Sequence, residues 1–179
     1  MKTFQLILCL PFFLFQFTLN AQDSLNMIRL SEWANVNYNT TYPFNDVWGY
    51  VDGSGNEYAI IGSRDSVHFI NVTDPLNPVQ IDAFEGEGSS SWRDIKTYGT
   101  HAYSVSEFSG DGLMVYDLSN LPASVTLLEH TTNHFSRAHN IYIDTAKAKL
   151  YAVGSAWSSG MRVLDLSTPA SPTLLETVT

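Results

Sequence analysis

The feature that most constrains this chain is that it repeats. Three segments, Asn45 to Glu87, Trp92 to Asn133 and Ala138 to Val178, align with one another. Each opens with an acid or amide before a β-branched residue: Asp46-Val47, Asp94-Ile95 and Asn140-Ile141, spaced 48 and 46 apart. Each continues through a run led by tyrosine, Tyr58-Ala59-Ile60-Ile61, Tyr103-Ser104-Val105 and Tyr151-Ala152-Val153, at intervals of 45 and 48. Each then reaches Asn71, Asp117 or Asp165 inside a third apolar run, 46 and 48 apart.

Within a unit the apolar runs are short, rich in Val, Ile, Tyr and Phe, and punctuated by Gly, Asn, Asp, Ser and Pro. That pattern predicts short strands joined by tight turns. No sustained helical period interrupts it. In the first unit the strands are expected at Val47 to Val51, Glu57 to Gly62, Val67 to Val72 and Val79 to Phe84. A four-stranded unit of this size is one propeller blade, so the fold class is all-β: a β-propeller of four-stranded blades, three of them present as a partial ring.

The chain divides into residues 1–21, 22–44 and 45–179, the last holding blades at about 45–87, 92–133 and 138–178. Met1-Lys2-Thr3 followed by the apolar run Phe4 to Leu19 and a small residue at Ala21 reads as a secretory signal peptide cleaved before Gln22. The run is shorter than the roughly 20 residues that cross a bilayer, so no membrane span is expected in the mature chain. The only cysteine, Cys9, falls inside this leader. A secreted domain without disulfides must be held by its core, which suits a large β fold. In the segment 22–44, Met27 to Trp33 resembles the fourth strands and is expected to be an orphan outer strand, as if completing a blade beyond the three repeats. Three blades also leave two faces uncovered, so further blades of a longer chain are expected.

The mature part carries eight basic residues against eighteen acidic ones, a net charge of −10. Such a surface repels nucleic acid and anionic lipid. Asp52-Gly53-Ser54-Gly55-Asn56-Glu57 places oxygen side chains at alternate positions, as calcium loops do. It lacks the glycine at the sixth place and the distal glutamate, so a hairpin turn is favoured. His130, His134 and His139 lie within ten residues, yet no HExxH pattern places a third ligand. No metal and no cofactor is therefore expected, and no Gly-x-Ser-x-Gly elbow supports a hydrolase triad.

Met161-Arg162-Val163-Leu164-Asp165-Leu166-Ser167-Thr168-Pro169, with its counterparts His68 to Pro78 and Met114 to Ser119, resembles the LVIVD repeat. Trp48-Gly49-Tyr50, Gly62-Ser63-Arg64-Asp65, Ser90 to Lys96 and His139-Asn140-Ile141 resemble the choice-of-anchor B family more narrowly. Those are secreted bacterial proteins with differing C-terminal surface-attachment signals. The resemblance implies an extracellular or cell-surface propeller and brings no settled activity with it.

Blade connectivity places the start of each first strand and each second-to-third-strand loop on one face. That face gathers Asn45, Asp46, Arg93, Asp94, His139, Asn140, Arg64, Asp65, Glu107, Asp111 and Trp157, while the Pro-rich turns occupy the other. Asp46, Asp94 and Asn140 recur in every blade and suit a structural role, as do Asn71, Asp117 and Asp165 in their strands. Arg93, Glu107, His139 and Trp157 do not recur in kind and are the better candidates for ligand contact, with Arg64 and Asp65 beside them. Trp33, Trp48 and Trp92 are expected to fill gaps between blades. Two function classes stay open: a non-catalytic binding or scaffold module for protein or glycan contact, and an extracellular propeller hydrolase or lyase with its polar site at one mouth of the ring.

Overall fold

The structure is a computed structural model that describes residues 27–34, 43–156 and 159–179. The leader, the residues 35–42 and Trp157 lie outside the described residues. Twelve strands follow one another: β1 (Phe44–Val51), β2 (Glu57–Ser63), β3 (Ser66–Asn71), β4 (Val79–Glu85), β5 (Arg93–Tyr98), β6 (His101–Ser106), β7 (Leu113–Asp117), β8 (Thr126–Thr131), β9 (Asn140–Asp144), β10 (Lys149–Ala156), β11 (Ser159–Asp165) and β12 (Thr173–Val178). They form three antiparallel sheets in strict sequence order, β1-β2-β3-β4, β5-β6-β7-β8 and β9-β10-β11-β12. The chain is all-β, and the three sheets are consecutive propeller blades with β1, β5 and β9 innermost.

Turn chemistry follows from the residues at each reversal. Between β1 and β2, Asp52 Oδ1 accepts the N–H groups of Ser54 (2.8 Å) and Asn56 (2.9 Å), and Gly55 takes the left-handed conformation at φ 84°. The Asp52 carboxyl is held down at about 2, first by the Asn56 side-chain amide and then, with burial opposing, by backbone N–H groups and the Tyr58 hydroxyl. The oxygen-rich segment is thus a hairpin turn whose aspartate is occupied by its own loop.

The blades share an irregularity that repeats with them. Register shifts between Phe69 and Ile70, Val115 and Tyr116, and Val163 and Leu164 leave Ile81, Leu128 and Leu175 as extra residues on the outer strands. A bulge at the same place in every blade bends the outer strand and adds twist. The first blade has one more: β1 begins three residues before its expected start, with a shift between Phe44 and Val47 that spans Asn45 and Asp46.

Burial follows from which blades have neighbours. The middle blade is covered on both faces, so β6 and β7 are buried almost throughout, whereas β1 and β9 alternate along their length. One apolar cluster fills the seam between the first and second blades, built on Ile60, Val67, Phe69, Ile95, Met114 and Tyr116. A second fills the seam between the second and third, built on Tyr103, Leu113, Val115, Ile141, Leu150 and Leu164. Alternate residues of β7 serve alternate seams: Met114 and Tyr116 the first, Leu113 and Val115 the second. Phe69 lies edge-on to Tyr116 at 5.1 Å and to Phe84 at 5.9 Å, and the buried Tyr116 hydroxyl is satisfied by Ser104 Oγ at 3.0 Å.

Residues 27–34, where the sequence suggests an outer strand of a further blade, join none of the three sheets. The segment instead lies over the first blade, with Trp33 against Phe44 and His68 at ring distances of 5.7 and 5.2 Å and Ser31 Oγ donating to Pro75 O.

Phe69→Ala should cost about 3 to 5 kcal/mol in urea unfolding, because the seam cannot close on the lost ring. Leu76→Ala, in an exposed turn, should stay within about 0.5 kcal/mol. Equal losses would contradict seam packing as the source of stability.

Candidate functional site

The inner strands are joined by a repeating carboxylate latch. Asp46 Oδ2 accepts the backbone N–H of Ile95 at 2.9 Å, and Asp94 Oδ2 accepts that of Ile141 at 2.7 Å. An innermost strand has an edge facing the axis, so these N–H groups have no ladder partner and would be orphaned without the carboxylates. Asp94 Oδ1 also takes the Ile95 N–H and the Lys96 ammonium. Lys96 sits 4.5 Å above the Trp48 ring, whose indole N–H donates to Thr97 Oγ1 at 2.9 Å. Burial pushes the Asp46 carboxyl above the usual carboxylate value, with its neighbour Asp94 adding to the rise. Burial works on Asp94 in the same direction, but the hydrogen bonds from Lys96 and Ile141 outweigh it and leave its carboxyl below the usual value. Asn140, the third member of the series, is exposed at the start of β9.

Arg93, expected among the ligand contacts, lines the mouth but turns its charge away from solvent. The residue is 3% exposed. Its guanidinium runs outward along the seam between the first two blades, with Nε donating to Ser63 O at 3.2 Å and Nη2 lying 3.0 Å from Asp111 Oδ2. That last contact is an ion pair without hydrogen-bond alignment, and Nη1 has no hydrogen-bond partner. Asp111 is further held by Ser106 Oγ and the Glu87 N–H. Gly86 leaves room for the pair, since a Cβ there would stand 2.5 Å from Asp111 Oδ1 and 3.0 Å from Arg93 Nη2. Non-recurrence along the sequence reflects here a clamp particular to one seam.

The other candidates separate into two groups. Arg64 donates to Ser89 Oγ (3.1 Å) and Ser91 Oγ (3.0 Å), bracing the connection between blades. Asp65 accepts from Ser63 and Ser66 within its own turn. Glu107 and His139 do come together, Oε1 to Nδ1 at 2.7 Å, and both are partly exposed. The His139 ring lies 5.7 Å from Trp92, whose carbonyl accepts the Glu107 N–H at 3.2 Å. Trp92 is 56% exposed, so it does not fill a gap between blades. Its exposed ring is the site feature that sequence reasoning missed. The available signal was its position directly before the first strand of its blade, on the face already singled out.

Trp92 and His139 edge a depression of about 700 Å³ lined also by Phe44, Asn45, Asp46, Ser91, Arg93, Asp94 and Asn140. It lies where the three inner strands begin, at the axial mouth. An aromatic plane, an imidazole, carboxylates and amides meet there, which is the equipment of a polar-ligand site. Among the described residues no three metal-ligating side chains converge. His130 stands 3.9 Å from Glu87, and His139 is bonded to Glu107.

On the opposite face Asn71, Asp117 and Asp165 do one job three times. Each Oδ1 accepts the N–H two residues on, from Thr73 (2.9 Å), Ser119 (2.8 Å) and Ser167 (2.8 Å), starting the turn into the fourth strand.

Among solved structures the chain is similar to a candidate 6-phosphogluconolactonase from Bacteroides fragilis, with 12% identity over 73% of this chain and 38% of that one and a TM-score of 0.58. It is similar also to a protein from Lactobacillus plantarum (15% identity, 76% and 41% coverage, TM-score 0.54) and to the complex of the fission yeast SREBP-SCAP binding domains (14%, 79% and 39%, 0.52). At such identities the likeness is one of fold, and it agrees with propeller blades. The chain spans about two fifths of the length of these structures. No family model matches it, and neither does any curated protein sequence.

Arg93→Met should cost about 3 to 5 kcal/mol in denaturant unfolding, because it strands the Asp111 carboxylate in the seam. Arg64→Ala, with only serine partners near the surface, should cost about 1 kcal/mol or less. An Arg93 variant as stable as the native chain would show that the pair is not a clamp.

Proposed function

We propose that this chain is a secreted or cell-surface propeller repeat protein of the LVIVD, choice-of-anchor B kind, whose axial mouth binds an extracellular glycan without turning it over. The observation that carries the reading is the exposed Trp92 ring set beside the hydrogen-bonded pair Glu107 and His139. Sugar rings offer an apolar C–H face and a rim of hydroxyls, and this arrangement supplies an aromatic plane with acceptors and donors next to it. The charge of −10 on the mature part favours a neutral glycan over an acidic one. The leader and the family resemblance support export, and the absence of basic runs speaks against a nucleic-acid partner.

One observation favours turnover as a second reading. An imidazole oriented by a carboxylate at 2.7 Å is what a general base requires, and one fold neighbour is described as a lactonase. A hydrolase or lyase acting on extracellular polymer would use Glu107 and His139 in that way.

Calorimetric titration against a panel of neutral oligosaccharides, with product analysis of the same mixtures, separates the readings. Binding without new reducing ends or unsaturated products is expected, and Trp92→Ala should weaken it about tenfold or more, or about 1.4 kcal/mol. Product formation would establish the enzyme reading. Binding unchanged in Trp92→Ala, or no binding across the panel, would overturn the glycan site.

A further inference from the structure

We infer that the ligand of the mouth is a chain of at least two sugar units laid across the first and second inner strands, with Phe44 as a second stacking platform beside Trp92. The inference rests on the glycan reading and adds to it the minimum length of the ligand and the residue that sets it.

Phe44 and Trp92 hold the same place in their blades, each two residues before its latch aspartate, Asp46 or Asp94. Both line the depression. The bond from Asp46 to the Ile95 N–H brings β1 and β5 side by side at the mouth, so the two rings stand at the entrances of neighbouring inner strands. Phe44 is partly exposed, and Trp33 packs on it at 5.7 Å, which fixes the ring in place. In the third blade the same position is Ala138, fully buried, so the aromatic row ends at Trp92 with the His139 ring 5.7 Å beyond it. A single pyranose offers its C–H face to one such platform at a time; filling both takes two consecutive units.

The hydrogen-bonding groups left at the mouth flank this row at both ends. Asp46 and Asp94 hold backbone N–H groups, and Arg93 faces Asp111. Asn45, exposed in the first blade, accepts the Asp46 N–H through Oδ1, and among the described residues its amide N–H groups have no acceptor. Asn140, exposed in the third blade, makes no side-chain hydrogen bond among the described residues. His139 gives Nδ1 to Glu107 and keeps Nε2. Two amides and an imidazole, with two aromatic planes between them, match the hydroxyl rims and C–H faces that alternate along an oligosaccharide. The depression of about 700 Å³ lies well inside the range of sites that enclose ligands larger than one sugar ring, roughly 300 to 1,000 Å³.

Calorimetric titration with glucan and mannan fragments of one to four units, cello-, laminari- and manno-series, tests this on the native chain. Affinity should rise about tenfold or more from one unit to two in the series that binds. Phe44→Leu keeps an apolar contact for Trp33 and removes the plane; it should weaken the disaccharide about fivefold or more, leave the monosaccharide unchanged and keep the native melting temperature. Trp92→Ala should weaken both. Equal affinity for one unit and two, or a disaccharide bound equally well by Phe44→Leu, would overturn the inference and leave a single-sugar site at Trp92. Binding by no member of any series would remove the glycan reading and this inference with it. The length series needs no variant, so it decides even if Phe44→Leu does not fold.

Discussion

Blade order depends on a carboxylate from one inner strand reaching the backbone N–H of the next. An innermost strand has hydrogen-bonding groups along an edge that no fifth strand of its own blade covers. Asp46 and Asp94 resolve this by pairing the orphan donors of Ile95 and Ile141. Because the acceptor is one blade and the donor the next, the same bond that removes a cost also sets the spacing of the blades. The apolar clusters on either side of the middle blade then supply the burial that stabilises the array.

The latch also fixes what the mouth can offer. Asp46 and Asp94 line the depression, yet each is committed to a backbone N–H. Arg93 begins the second inner strand but turns its charge into the seam toward Asp111. The groups left at the depression with no backbone N–H to hold include Trp92 and His139, which meet across the second and third blades with Glu107 hydrogen-bonded to the imidazole.

The repeat was legible because strands advertise themselves by period and composition, and because three copies of one pattern reinforce each other. The strands and their grouping into four-stranded blades could be placed from Asp46, Tyr58, Asn71 and their counterparts. The shared bulges at Ile81, Leu128 and Leu175 could not, since a bulged apolar residue looks like any other in an apolar run. The seam role of Arg93 was not legible, because a residue unique to one blade can serve a ligand or a single seam, and only the position of Asp111 shows the latter contact. The segment Met27 to Trp33 has strand-like composition, but a strand needs an edge to pair with, and edge availability is a property of the assembled sheet.

Native-state hydrogen exchange at the Ile95 and Ile141 amides addresses the latch directly. Both should be protected in the native chain; Asp94→Ala should release Ile141, and Asp46→Ala should lower protection at Ile95, which keeps Asp94 Oδ1 as a second acceptor, while sparing Ile141. Protection at both amides that survives both substitutions would mean that the blades are spaced by packing alone and that the carboxylate latch is not what joins them.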